Sequence, residues 1–156
     1  MLLTAKKKGT PLMADKKETV DRIRRFNRFY MACIRVMDRT YLDSEYSVTE
    51  SRILYELDEN GGCSAKYIAG KLNIDKSYLS RILKKFIEKG LIKRAVSEED
   101  SRSFSIRLTD KGKKLIYELN ERSDKQIGEL LAELTNGECG EICSAMDIIT
   151  SHLSRK

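Results

Sequence analysis

Between Ser64 and Leu108 the spacing of apolar residues changes from three-and-four to alternation, and this switch limits the possible folds more than any other feature. After Ser64, a residue suited to cap a helix, Ile68, Ala69 and Leu72 recur at helical spacing. Asn73-Ile74-Asp75 makes a tight turn. Asp75 then caps a second helix with the apolar stripe Leu79, Ile82, Leu83, Phe86 and Ile87, which stops at Lys89-Gly90. Beyond it Ser103-Phe-Ser-Ile-Arg-Leu108 alternates polar and apolar, as a half-buried strand does. Leu91 to Val96 is a less regular partner strand, joined to it by the charged run Ser97-Glu-Glu-Asp-Ser-Arg102. Two short helices across a three-residue turn, then a hairpin with a charged tip, make the pattern of a winged helix-turn-helix.

The flanks are helical too. Ser47-Val-Thr-Glu50 is a capping box opening a helix through Ile53, Leu54 and Leu57, which Asn60-Gly61-Gly62 ends. Val20, Ile23, Phe26, Tyr30, Cys33, Ile34, Met37 and Tyr41 keep a helical rhythm from Glu18 to about Tyr41. That is long for a helix inside a globule, and predicts one that packs on a partner. A further long helix starts after Thr109 and carries Leu115, Ile116, Leu119, Ile127, Leu130, Leu131 and Leu134. Thr135-Asn-Gly-Glu138 is a second capping box, opening a last helix that ends near Leu153. The expected fold is mainly α: a winged helix-turn-helix at 47–108, long N- and C-terminal helices at 18–43 and 110–154, and a two-stranded β-wing. Residues 1–17 are expected to be a basic flexible tail and 18–156 one domain. Met13 would also serve as a start.

Charge is distributed unevenly. From Gly61 to Val96 nine lysines and arginines stand against two acids, and from Met1 to Lys17 five stand against one. With +6 overall, the rest of the chain is acidic. A basic block of this kind predicts a face that binds a polyanion. On the helix after Asp75, Ser77, Ser80, Arg81, Lys84 and Lys85 project mainly away from the apolar stripe, with Lys76 and Tyr78 near its start. Such a helix suits a DNA major groove. Arg81 is placed to pair with a guanine edge. Ser77, Tyr78 and Ser80 are expected to reach bases or phosphates, and Lys76, Lys84 and Lys85 are assigned to the same surface, the last two for phosphates. Arg102, at the hairpin tip, is long and cationic as a minor-groove probe must be.

Other chemistries find little support. The start has no apolar stretch of signal-peptide length and no run approaches membrane-spanning length, so a cytoplasmic protein without a membrane partner is expected. Cys33, Cys63, Cys139 and Cys143 form no CxxC, and the one histidine is His152. Cys139 and Cys143 share helical spacing with Ile142, Met146, Ile149 and Leu153, which predicts buried thiols rather than a metal site. With no catalytic constellation and no phosphate-cradling glycine loop, neither enzyme nor cofactor is expected. Two alternatives to a DNA-binding regulator remain: a winged-helix module that binds a protein, and a regulator switched by thiol oxidation.

The chain resembles the MarR family of transcriptional regulators. The resemblance rests on Ser64 to Lys89, on Asp100-Ser-Arg102, and on Leu108-Thr109-Asp-Lys-Gly112. Arg22 to Tyr30, Leu54-Tyr-Glu-Leu57 and Tyr78 to Leu83 are most similar to a subgroup often fused to an acetyltransferase domain, which does not follow here before Lys156. The resemblance implies a homodimeric repressor of double-stranded DNA with a pseudo-palindromic operator, the helices at 18–43 and 110–154 being its dimerisation helices. It implies that Asp100 holds the wing arginine and that Arg102 enters the minor groove. It also implies a small aromatic or anionic effector, with Phe26, Tyr30 and Ile34 as its expected contacts.

Overall fold

A computed structural model describes residues 11–36, 41–96 and 104–154, with side chains from residue 16 onward. They form six α-helices, a short 3-10 turn (Tyr41–Asp43) and one two-stranded sheet. The helices are α1 (Pro11–Cys33), α2 (Val48–Glu59), α3 (Ala65–Leu72), α4 (Lys76–Glu88), α5 (Asp110–Leu131) and α6 (Asn136–Leu153), and the strands β1 (Ile92–Val96) and β2 (Phe104–Leu108). Contacts divide the chain into two units, residues 1–38 and 39–156.

In the first unit α1 differs from expectation at both ends. It starts at Pro11, so residues 11–17 are helical rather than tail. Proline is favoured in a helix's first turn, where its missing N–H has no partner to lose. The helix stops at Cys33 rather than running on to Tyr41. The N–H of Val36 donates to Met31 O and that of Arg35 to Ala32 O, with Arg35 at φ 53°. This is a Schellman ending with arginine where glycine is usual, so composition gives no sign of it. Met37 lies outside the described residues.

In the second unit the capping signals hold. Ser47 accepts from Glu50 N while the Glu50 carboxylate accepts from Ser47 N, and Thr135 and Glu138 form the same box on α6. Ser64, Asp75 and Thr109 cap α3, α4 and α5. The core lies beneath the winged helix: Ile53, Leu54 and Leu57 of α2, Ile68 of α3, Leu79 and Phe86 of α4, Leu91, and Ile116 and Leu119 of α5 are buried. β1 and β2 pair antiparallel, Ile92 opposite Leu108 and Val96 opposite Phe104. Cys63 adds a bridge the pattern did not foretell: it exchanges hydrogen bonds with Ile106 at 3.0 and 2.8 Å, tying the α2–α3 loop to the wing. A single residue in a strand-like pairing has no period to detect.

Burial falls away toward the C-terminus. Ile127 and Leu130 of α5 are exposed, and no residue of α6 is buried. Cys139 is half-buried and Cys143 exposed, against the expectation of buried thiols. The face they share is apolar, but nothing among the described residues buries it.

Candidate nucleic-acid interface

The turn between α3 and α4 sets the presentation of α4. Asn73 sits at φ 50°, a left-handed conformation asparagine tolerates, and the N–H of Ile74 donates back to Ala69 O. Asp75 then accepts from Tyr78 N at 2.9 Å, starting α4. The helix buries Leu79, Ile82, Leu83 and Phe86 inward. Ile87, the fifth member of the predicted stripe, is 43% exposed, because it faces the open groove between α4 and the wing rather than the core.

The opposite side of α4 carries the predicted DNA contacts. Lys76, Ser77, Tyr78, Ser80, Arg81 and Lys84 are all exposed. Arg81 Nε lies 3.4 Å from Ser77 O, a long bond within the helix. Lys84 is 3.9 Å from Glu88, both well exposed, a pairing that water screens heavily.

Lys85 does not belong to this surface. Its Nζ donates to Glu50 Oε1 at 2.6 Å and stands 5.5 Å from the centre of the Tyr46 ring. Lys89 approaches the same ring at 5.2 Å and pairs with Glu45. The two lysines thus clasp Tyr46 and fasten α4 to the start of α2. Burial by itself would raise the Glu50 carboxyl's pKa, but hydrogen bonds from Lys85 and Ser47 outweigh it and hold the group below the usual carboxylate range. A lysine facing a buried carboxylate reads in sequence like one facing solvent, so the expected phosphate role for Lys85 gives way to a structural one.

Between α4 and the wing lies a groove of about 840 Å³. Leu79, Leu83, Ile92 and Ile106 line it with Ile87 and Phe104, while Lys66, Lys76, Lys84, Lys93 and Arg94 supply charge. Three of these cations, Lys66 on α3 and Lys93 and Arg94 on β1, were not assigned from sequence, although all three lie inside the basic block. For the two on β1, strand register was the missing information. Asp100 and Arg102 lie outside the described residues. Phe26 and Tyr30 stack on α1 with ring centres 5.7 Å apart and planes 9° from parallel, and Ile34 falls in the turn that ends the helix.

Among the described residues no group of three or more metal-binding side chains occurs, and no helix is long and apolar enough to cross a membrane. Burial pushes the Cys63 thiol up to about 11, with a further rise from Glu56.

Comparison with known proteins converges on one family. The MarR family model matches residues 46–104. The HTH-type transcriptional regulator BilQ of Clostridioides difficile is 23% identical over 106 residues, which cover 67% of this chain and 72% of that protein. YdgJ of Bacillus subtilis, an uncharacterized HTH-type transcriptional regulator, is 33% identical over 86 residues, 55% of this chain and 51% of that one. Among solved structures, a MarR family protein from Bacillus stearothermophilus superposes with a TM-score of 0.74 at 17% identity, covering 89% of this chain and 98% of that one. An E. coli MarR mutant complexed with operator DNA gives 0.66 at 18%, covering 85% and 95%. At these identities the structural likeness is one of fold.

Proposed function

The chain belongs to the MarR family of helix-turn-helix transcriptional regulators, and on that premise we propose that it is a cytoplasmic homodimeric repressor whose α4 reads a pseudo-palindromic operator. One observation carries the reading: α4 is held by a buried inner stripe while Lys76, Ser77, Tyr78, Ser80, Arg81 and Lys84 stand exposed on its other side. Arg81 is assigned to a base edge in the major groove and Lys84 to a phosphate. Lys66, Lys93 and Arg94 join the phosphate-binding set, and Arg102, braced by Asp100, is assigned to the minor groove. Apart from binding DNA and a second copy, the protein carries out no reaction of its own in this reading.

Dimerisation is supported by apolar side chains that α5 and α6 leave uncovered, among them Ile148 at 60% and Leu153 at 70% exposure. Large exposed apolar surface is uncommon on a monomer. Two recognition helices related by a two-fold axis require two operator half-sites about one DNA turn apart. The stacked Phe26 and Tyr30, with Ile34, are assigned to a small aromatic or anionic effector, which relieves repression by favouring a conformation unable to bind DNA.

Fluorescence anisotropy against duplexes tiled across the gene's own upstream region tests the reading. One tile is expected to bind far more tightly than the rest with a steep salt dependence, and Arg81→Ala to cost about 1–3 kcal/mol on that tile. Uniformly absent binding at low salt would sink it and favour a protein-binding winged helix.

A further inference from the structure

Two consecutive residues of the turn before α2, Leu42 and Asp43, hold left-handed backbone at φ 51° and 48°. Neither is glycine, and a leucine in this conformation is strained. Arg122 of α5 holds the turn: its Nη1 donates to Leu42 O at 3.0 Å and to Asp43 O at 2.7 Å. Arg122 forms no ion pair among the described residues, so its guanidinium serves these two carbonyls. Packing alone does not fix the turn. A cavity of about 220 Å³ lies between it and α5, with Asp43, Ser44, Tyr46, Leu119 and Arg122 in its lining. That space lets the backbone relax once the guanidinium is removed. Ser44 Oγ accepts from Tyr46 N at 3.2 Å, which passes the geometry of the turn on to Tyr46. Tyr46 is buried and meets α4 at three residues. Its ring lies edge-on to Phe86 with centres 6.2 Å apart, and Lys85 and Lys89 stand 5.5 and 5.2 Å from its centre. Lys89 also pairs with Glu45, the residue before Tyr46. The C-terminal end of α4 thus rests on the segment that Arg122 holds.

We propose that Arg122 is a positioning residue for operator recognition. It keeps the turn at 42–43 left-handed, which seats Tyr46 against α4 and sets how the exposed side of α4 meets a base edge. The proposal rests on the operator-binding reading and adds to it a residue that acts through another. It also gives α5 two tasks, because the helix runs on from Arg122 to the exposed Ile127 and Leu130, on the surface assigned to a second copy.

The test compares wild type, Arg122→Ala and the double variant Arg122→Ala/Asp43→Gly, all as the full chain. Asp43 is exposed, and glycine takes left-handed backbone without steric cost, so the second change lessens the need for Arg122 and keeps the Leu42 packing. Hydrogen exchange of the DNA-free protein comes first. In Arg122→Ala it should quicken about tenfold at residues 43–46 and 85–90, while α3 keeps its wild-type rates. Affinity for the operator tile should then fall about tenfold, with affinity for a random-sequence duplex unchanged, since non-specific binding depends on exposed cations and not on how α4 is seated. The double variant should recover most of both losses. Plain destabilisation would instead quicken exchange throughout the second unit and leave the preference for the operator tile intact. That pattern, unchanged exchange at 85–90, or a double variant no better than the single one overturns the proposal. A wild type with no operator preference overturns the operator reading itself, and because exchange is measured without DNA the two failures are told apart.

Discussion

Lys84 and Lys85 are neighbours in the chain, yet α4 sends their charges to different places. Lys84 stays in solvent beside the groove, and Lys85 closes on Glu50. Lys84→Ala should therefore lower the salt slope of DNA binding by about 0.9 with the unfolding midpoint unchanged. Lys85→Ala should instead destabilise the fold by about 1–3 kcal/mol in urea unfolding, because it leaves the buried Glu50 carboxylate short of a partner. Glu50 also links stability to pH. Its folded pKa lies below the ordinary 4.5 despite the opposing effect of burial, so its stabilisation is present above that value and disappears as pH falls through the folded pKa. Glu50→Gln should be less stable than wild type at neutral pH, and thermal melts should bring the two together in acid. The cysteines separate in the same way. With its pKa raised to about 11, Cys63 should resist iodoacetamide in the native protein at neutral pH while exposed Cys143 reacts. An oxidation-switched regulator would then have to use a thiol other than Cys63.

At the scale of elements, the boundaries that could be read were those written by local chemistry. Ser47 with Glu50, and Thr135 with Glu138, close their hydrogen bonds within four residues, so pattern and structure agree. The run Leu108-Thr109-Asp-Lys-Gly112 combines three tasks within five residues. Leu108 is buried in the core, Thr109 accepts from Gly112 N at 3.1 Å while bonding to Gly90 O at 2.6 Å, and Gly112 admits the Leu91 carbonyl. Gly112→Ala should accordingly cost about 1–3 kcal/mol by overpacking. Gly70→Ala, with open space around it in α3, should be neutral or gain up to about 1 kcal/mol. Differential scanning calorimetry of the two variants would check the contrast. The end of α1 was not legible, since an arginine in a left-handed turn carries no compositional mark. Arg122 is similar: it donates to Leu42 O and Asp43 O, some 80 residues away in the chain, holding a turn where both residues have positive φ.

For the molecule as a whole, charge and exposed apolar surface point to two kinds of partner. The basic block between Gly61 and Val96 becomes α3, α4 and β1, so Lys66, Lys76, Lys84, Lys93 and Arg94, scattered along the chain, gather around one groove. The apolar residues of α6 form a face that none of the described residues buries. Ile149→Glu should place a charge in the proposed dimer interface and yield a folded monomer by light scattering. Its DNA affinity should fall about a hundredfold or more, because each half-site would then be bound independently.

The chain by itself determined the kinds of element, most of their ends and the exposed side of α4, because apolar period and capping act between residues a few positions apart. Only the tertiary structure decided which cations remain available to an anion. Glu50 reaches Lys85 across 35 residues, Arg107 meets Lys93 through strand register, and Cys63 meets Ile106 through a lone bridge. Such pairings depend on how distant segments come together, and no local spacing encodes them.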